Sequence, residues 1–320
     1  MTLALKTPYT AHSANARCAN FELVGPPGRP VIAVLGGISA SRHVTSSLTD
    51  QRGGWWQDVV GSRKALDTEC FRVLGFDYVT QSQDGGPVRT VDQAHQLAGV
   101  LEMTGIRKLH AIVGASYGGM AALSFAECYP DRVGRLVIIS AAHESHPMAT
   151  GLRVLQRRIV ALGIATGRAR EGLVIARGIA MTMYRTPEEF AERFGSRAAT
   201  ASDEPSFEVE HYLTKCGERF ADAFTPERYL ALSLSLDLHR VIPEDVRVPA
   251  TLIAVKSDAV VLPAQMRELA GRLGAPSTLV EIESLYGHDS FLKDISVISP
   301  IIATALVPAI GTSNLKVRIS

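Results

Sequence analysis

Residues 109–125 read Leu-His-Ala-Ile-Val-Gly-Ala-Ser-Tyr-Gly-Gly-Met-Ala-Ala-Leu-Ser-Phe, and their centre, Gly114-Ala115-Ser116-Tyr117-Gly118, is a G-x-S-x-G. An apolar run, Leu109 to Val113, leads into it, and a small-residue helical segment, Met120 to Cys128, leads out. Strand, sharp turn and helix are the setting of a nucleophile elbow. Such a turn holds its serine in a strained backbone conformation, so the residues two before and two after must be tiny. Gly114 and Gly118 meet that need, and Gly119 and Ala121 let the helix pack closely. Ser116 Oγ then stands at a helix N-terminus, where the dipole favours a developing anion. A bare G-x-S-x-G also arises in ordinary Gly-rich turns, so the reading depends on what the rest of the chain supplies.

Outward from the elbow, strand and helix alternate. Phe21–Val24 reads as a short strand. Val31–Leu35 reads as a buried one, ending in Gly36-Gly37, and Phe71–Phe76 as another. From Gly37 to Thr68 the chain is polar and Gly-containing. Thr90–Thr104 carries apolar residues at helical spacing, with Thr90 as the expected N-cap. Arg135–Ser140 is the strand after the elbow helix. From Glu144 to Arg240 no strand is read. Helices are expected at 148–162, 172–184, 187–194, 206–220 and 226–238. The alternation resumes with a strand at Ala250–Val255, a helix at 263–273, a strand at 278–282 and a last helix from Ser290. The pattern predicts an α/β fold, a mostly parallel sheet flanked by helices. Residues 1–143 and 241–320 form its core, and residues 144–240 an inserted helical lid.

Bulk properties narrow the function classes. The 320 residues suffice for one α/β domain with an insertion. A net charge of +1 points to no nucleic-acid partner and no anionic membrane. Met1–Asn20 is polar and mixed, and no apolar run reaches the length of a membrane span, so no signal peptide is expected. Cys18, Cys70, Cys128 and Cys216 lack metal or redox spacing, which fits reduced thiols and a cytoplasmic protein. No metal is expected.

A serine nucleophile needs an acid and a histidine after it in the chain. Asp258 follows the strand at 250–255, and His288 follows the strand at 278–282, both where loops of a parallel sheet converge. Alone, each is an ordinary loop residue. In this order behind the elbow they predict a triad and the α/β-hydrolase fold. His288 would take the proton of Ser116, and Asp258 would fix the imidazole. His43 and His143 also follow sheet strands and are the rival bases. The oxyanion hole needs two backbone N–H donors: Tyr117 and one from Gly36-Gly37-Ile38-Ser39, where Gly37 is favoured and Ile38 is the alternative.

From Val31 to Asp294 the chain resembles the homoserine O-acyltransferases of the α/β-hydrolase superfamily. The resemblance lies in Gly54-Trp55-Trp56, Val60-Gly61 and Ala65-Leu66-Asp67-Thr68, and in the elbow. It lies further in a lid signature, Ala176-Arg177, Tyr184-Arg185-Thr186-Pro187-Glu188-Glu189-Phe190 and Arg193-Phe194-Gly195. The last element is Gly287-His288-Asp289-Ser290-Phe291-Leu292. The family implies Arg177 and Asp289 as substrate residues, with Tyr184 beside them. Homoserine carries a carboxylate that an Arg can pair with and an ammonium that an Asp can. The resemblance implies acyl transfer from an acyl-CoA co-substrate to L-homoserine for methionine biosynthesis, no permanently bound cofactor, and a homodimer. Serine as acceptor, or an esterase or thioesterase with the same triad, are the alternatives.

The chain departs from the family where many members have His-Ala-Leu-Thr-Gly; here it reads Leu35-Gly36-Gly37-Ile38-Ser39. This looks like a compact, succinyl-CoA-using subgroup, with acetyl-CoA the other donor. A succinyl carboxylate wants a cation near the acyl pocket, and Arg42, Arg157 and Arg158 are the candidates.

Overall fold

A computed structural model describes residues 20–196 and 205–307. The expectation about a signal peptide, and Cys18, fall almost wholly or wholly on residues outside these. In chain order the elements begin with β1 (Phe21–Val24), β2 (Val31–Leu35), β3 (Val60–Gly61), β4 (Leu66–Asp67) and β5 (Arg72–Phe76). There follow α1 (Thr90–Met103), β6 (Ala111–Ala115), α2 (Tyr117–Cys128) and β7 (Leu136–Ile139). Five helices come next: α3 (Pro147–Ala165), α4 (Ala169–Tyr184), α5 (Pro187–Arg193), α6 (Glu208–Ala223) and α7 (Pro226–Asp237). The chain closes with β8 (Ala250–Val255), α8 (Pro263–Arg272), β9 (Ser277–Ile282), α9 (Ser290–Lys293) and α10 (Ile295–Leu306).

Seven strands form one sheet in the order β1-β5-β2-β6-β7-β8-β9, parallel throughout except for β1, which runs antiparallel to β5. Alternate residues of each central strand face opposite cores, as the two-residue period of a strand requires. Leu35, Leu74, Ile112, Ile138 and Leu252 pack on one face with α1 and α2. Val34, Val73, Val113, Val137 and Ile253 pack on the other with Ile298 and Ile302 of α10. Burial on both faces explains why these strands read as continuous apolar runs.

The predicted fold class is the observed one, with local differences. Val60–Gly61 and Leu66–Asp67 pair as a small parallel sheet inside the polar, Gly-containing stretch for which the sequence names no strand; two residues per strand are too few to leave a period. Thr90 is the first residue of α1 rather than its N-cap. Arg89 occupies the cap position, and its N–H donates to the Asp92 carboxylate at 2.7 Å. The Thr90 hydroxyl is instead spent on buried His239 Nδ1, 2.7 Å away. The last helix breaks at Asp294 into α9 and α10. β7 and β8 are adjacent and paired, yet α3 to α7 lie between them in the chain.

Candidate active site

The elbow takes the form the sequence demands. Ser116 has φ 53° and ψ −122°, a strained region for a residue with a side chain. A Cβ on Gly118 would lie 2.2 Å from Leu35 O, and one on Gly114 2.5 Å from Gly118 O, so neither position admits a larger residue. The strain is held by the sheet: Ser116 N–H donates to Ile139 O at 2.9 Å, and α2 starts at the next residue.

Asp258 and His288 come to Ser116 from the loops after β8 and β9. Ser116 Oγ is 2.9 Å from His288 Nε2, and His288 Nδ1 is 2.8 Å from Asp258 Oδ2. A carboxylate only accepts, so Nδ1 carries the proton and Nε2 is left to accept from the serine hydroxyl. The other oxygen, Asp258 Oδ1, accepts the N–H groups of Val260 and Val261 at 2.8 and 2.9 Å, which fixes the carboxylate before the histidine meets it. Asp258 and His288 are both 3% exposed, so the interactions act with little screening by water. Burial works to lower the His288 pKa; the Asp258 carboxylate outweighs it, with Asp289 adding to the rise and Arg153 opposing, and the pKa stands above its ordinary 6.5. A general base must be neutral, so kcat/KM is expected to fall, with a slope of one proton, as pH drops through a value above 6.5. A pH–rate profile whose acid limb lies below that value would contradict this environment for His288.

The rival histidines are elsewhere. His43 Nδ1 meets Glu22 at 2.9 Å, and its Nε2 meets Arg52 O at 2.9 Å. Both partners accept, so both ring nitrogens donate and neither is free to act as a base. His143 is buried, with Nε2 3.6 Å from Glu268. Neither lines the space around Ser116.

That space has two compartments that share Ser116, Tyr184, Leu236 and His288. The larger, about 150 Å³, is lined by Gly37 and Ile38 on one side and by Arg177, Tyr184 and Asp289 on another. The sequence-predicted substrate residues Arg177, Tyr184 and Asp289 therefore line one cavity with Ser116. The Arg177 guanidinium lies 5.6 Å from the Tyr184 ring centroid and 5.0 Å from that of Phe220, with no carboxylate partner among the described residues. Asp289 Oδ2 lies 2.9 Å from Arg185 Nε.

The smaller recess, about 20 Å³, adds Met120, Ser145, Gln265 and Arg153. Of the three cations suggested for it from sequence, none lines it. Arg42 pairs with Asp77 and Glu22, Arg157 with Asp237, and Arg158 is exposed. Arg153 is there instead, buried, donating through Nε to Asp237 Oδ1 at 2.7 Å and through Nη2 to Ser145 Oγ at 2.8 Å. It belongs to the buried stripe of α3, Ala149, Arg153, Gln156 and Val160 at helical spacing, a face that the exposed apolar residues of the same helix do not mark. Among the described residues no group of three or more His, Cys, Asp and Glu could hold a metal ion. No helix there is long and apolar enough to cross a membrane.

Residues 30–295 match the model of the alpha/beta hydrolase fold family. A homoserine O-succinyltransferase of Xanthomonas campestris is 42% identical over 289 residues, spanning 89% of this chain and 78% of the relative. A homoserine O-acetyltransferase of Geotalea daltonii is 30% identical, spanning 87% of each. Among solved structures, esterase E22 superposes with a TM-score of 0.80 at 20% identity, covering 90% of this chain and 94% of that one. At that identity the likeness is one of fold.

Proposed function

We infer the reaction from one premise: this chain belongs to the homoserine O-acyltransferase family of the α/β-hydrolase superfamily. We propose that it moves an acyl group from acyl-CoA to the hydroxyl of L-homoserine, a step suited to methionine biosynthesis. The observation that carries this is the shared cavity, in which Ser116 and His288 meet Arg177 and Asp289. A cation with no carboxylate partner of its own among the described residues and a separate carboxylate, both beside Ser116, suit the two charges of an amino-acid acceptor; ester hydrolysis requires neither.

The proposed mechanism is ping-pong. Ser116 Oγ attacks the thioester carbonyl while His288 Nε2 takes its proton. The backbone N–H groups of Tyr117 and Gly37, with Ile38 the alternative to the latter, receive the oxyanion. The intermediate collapses, the C–S bond breaks, and CoA leaves as the thiol with the proton from His288. The homoserine hydroxyl then gives its proton to His288, its oxygen attacks the acyl-serine, and the ester leaves as that proton returns to Ser116 Oγ. Arg177 holds the acceptor carboxylate and Asp289 its ammonium, with Tyr184 packed on the His288 ring at 5.4 Å between centroids. Helices α3 to α7 serve as a lid that keeps water from the acyl-serine. Exposed Met148, Leu155 and Leu162 on α3, and Ile175 on α4, support these same helices as a homodimer surface. No permanently bound cofactor enters the scheme.

Succinyl-CoA is the favoured donor, because Arg153 and Arg157 together face the single carboxylate of Asp237 beside the recess. A second anion, the free carboxylate of a succinyl group, balances that charge. Glu144, also in the lining, is exposed and screened by water. The recess is small, so a succinyl chain requires buried Met120 in its lining to change rotamer. Serine as acceptor differs by one methylene, worth only ~1–3 kcal/mol of discrimination.

The test is CoA release with succinyl-CoA and acetyl-CoA in parallel, each with homoserine, serine or neither. Release that homoserine accelerates, fastest with succinyl-CoA, is expected. Arg153→Leu should lower kcat/KM for succinyl-CoA by about 100-fold while acetyl-CoA changes by under about 10-fold, since only the former loses a charged partner. Release indifferent to either amino acid would instead mean a thioesterase.

A further inference from the structure

The acceptor side of the cavity rests on a buried ion cluster that neither the triad nor the oxyanion hole uses. α4 ends at Tyr184 and α5 begins at Pro187; the two residues between them, Arg185 and Thr186, touch the loop that carries His288. Thr186 Oγ–H donates to Leu285 O, and the same oxygen accepts Glu189 N–H at 3.1 Å, capping α5. Gly287 sits at φ 55°, where a Cβ would lie 2.8 Å from Tyr184 O, so the two segments meet backbone to backbone. Arg185 Nη1 donates to both oxygens of Glu189 at 2.7 and 3.0 Å, and Arg193 Nη1 donates to Glu189 at 3.0 Å. The side chains of Arg185, Glu189 and Asp289 are 7%, 4% and 9% exposed.

Asp289 thus has a cation behind it before any acceptor arrives. A buried carboxylate is costly unless it is paired. Full neutralisation by Arg185, however, would leave nothing to attract an ammonium. Glu189 resolves this by engaging Nη1 with both of its oxygens, while Nε lies against Asp289. The Nε–H finds no aligned acceptor despite the 2.9 Å separation. The contact is therefore charge against charge rather than a directed hydrogen bond, and it leaves the carboxylate lone pairs open to a second cation.

We propose that Arg185 is a positioning residue for the acceptor: shared between Glu189 and Asp289, it holds the Asp289 carboxylate aimed into the cavity, where Asp289 receives the acceptor ammonium. This rests on the reading of Asp289 as the partner of that ammonium. The acyl donor carries no amino group at this point, so the first half-reaction should not sense Arg185. An acceptor analogue without the amino group should not sense it either.

The experiment compares wild type, R185Q and R185K in three measurements: the CoA burst from succinyl-CoA alone, KM and kcat for homoserine, and the inhibition constant of 4-hydroxybutyrate, which keeps the chain and the carboxylate but lacks the ammonium. For R185Q we expect a rise of about 30-fold in the homoserine KM, with the burst and the 4-hydroxybutyrate constant within about 2-fold of wild type. R185K, which keeps the charge, should lie between, and it carries the same test if R185Q does not fold. A loss shared equally by the burst, homoserine and 4-hydroxybutyrate would overturn the proposal, since a merely structural residue behaves that way; so would an unchanged KM. A wild-type enzyme that transfers to no amino-acid hydroxyl would instead overturn the acyltransferase reading itself, and this proposal with it.

Discussion

Ser116→Ala is expected to abolish the acyl-enzyme and lower turnover by about 10⁵–10⁶-fold, the loss typical when a serine nucleophile that works as one unit with its base is removed. Oγ is the atom 2.9 Å from His288 Nε2, and no other hydroxyl in the lining of either compartment is hydrogen-bonded to that nitrogen. The fold should survive. The strained φ of 53° is imposed by Ile139, Gly114 and Gly118 rather than by the hydroxyl, and alanine meets the same steric terms as serine. The measurement is intact-protein mass spectrometry after mixing with succinyl-CoA, alongside a melting curve. An acyl adduct still present on the alanine protein would place the nucleophile elsewhere.

Asp258→Asn should cost about 10⁴-fold in kcat with little change in stability, because it reverses the histidine rather than removing it. Asp258 Oδ1 is held by the N–H groups of Val260 and Val261. An asparagine keeps its carbonyl oxygen on those two donors, which forces its NH₂ toward His288 Nδ1. That nitrogen must then accept, the proton moves to Nε2, and Ser116 faces a donor where it needs a base. The defect should therefore appear in the CoA burst and the acceptor half-reaction alike. A variant within 10-fold of wild type in burst rate would mean that Asp258 does not set the tautomer.

Much of this was legible in sequence because local rules and tertiary structure agree there. The glycines at 114 and 118, the apolar strand before them and the chain order of Ser116, Asp258 and His288 each state a steric or chemical need that the fold then meets. The five helices α3 to α7 were readable from period, and the starts of α5 and α7 from Pro187 and Pro226 at N1, while α3, α4 and α6 differ by up to three residues at their ends. Arg153 was not, for a physical reason. α3 buries Arg153 and Gln156 while exposing Met148, Leu155 and Leu162, so its apolar residues mark a face that α3 does not turn inward. The partner that gives Arg153 its place, Asp237, lies at the far end of α7. Arg185 was visible only as part of a motif. Its division between Glu189, one turn ahead, and Asp289, far along the chain, appears only when the two segments meet over Gly287.

The acyl group on Ser116 is expected to pass to an amino-acid hydroxyl and not to water. The direct measurement is to isolate the succinyl-enzyme, mix it with homoserine in a rapid-quench instrument, and quantify O-succinylhomoserine against free succinate. Discharge is expected to accelerate with homoserine concentration, with the acyl group appearing as the ester. Discharge to free succinate at one rate, with or without homoserine, would contradict it.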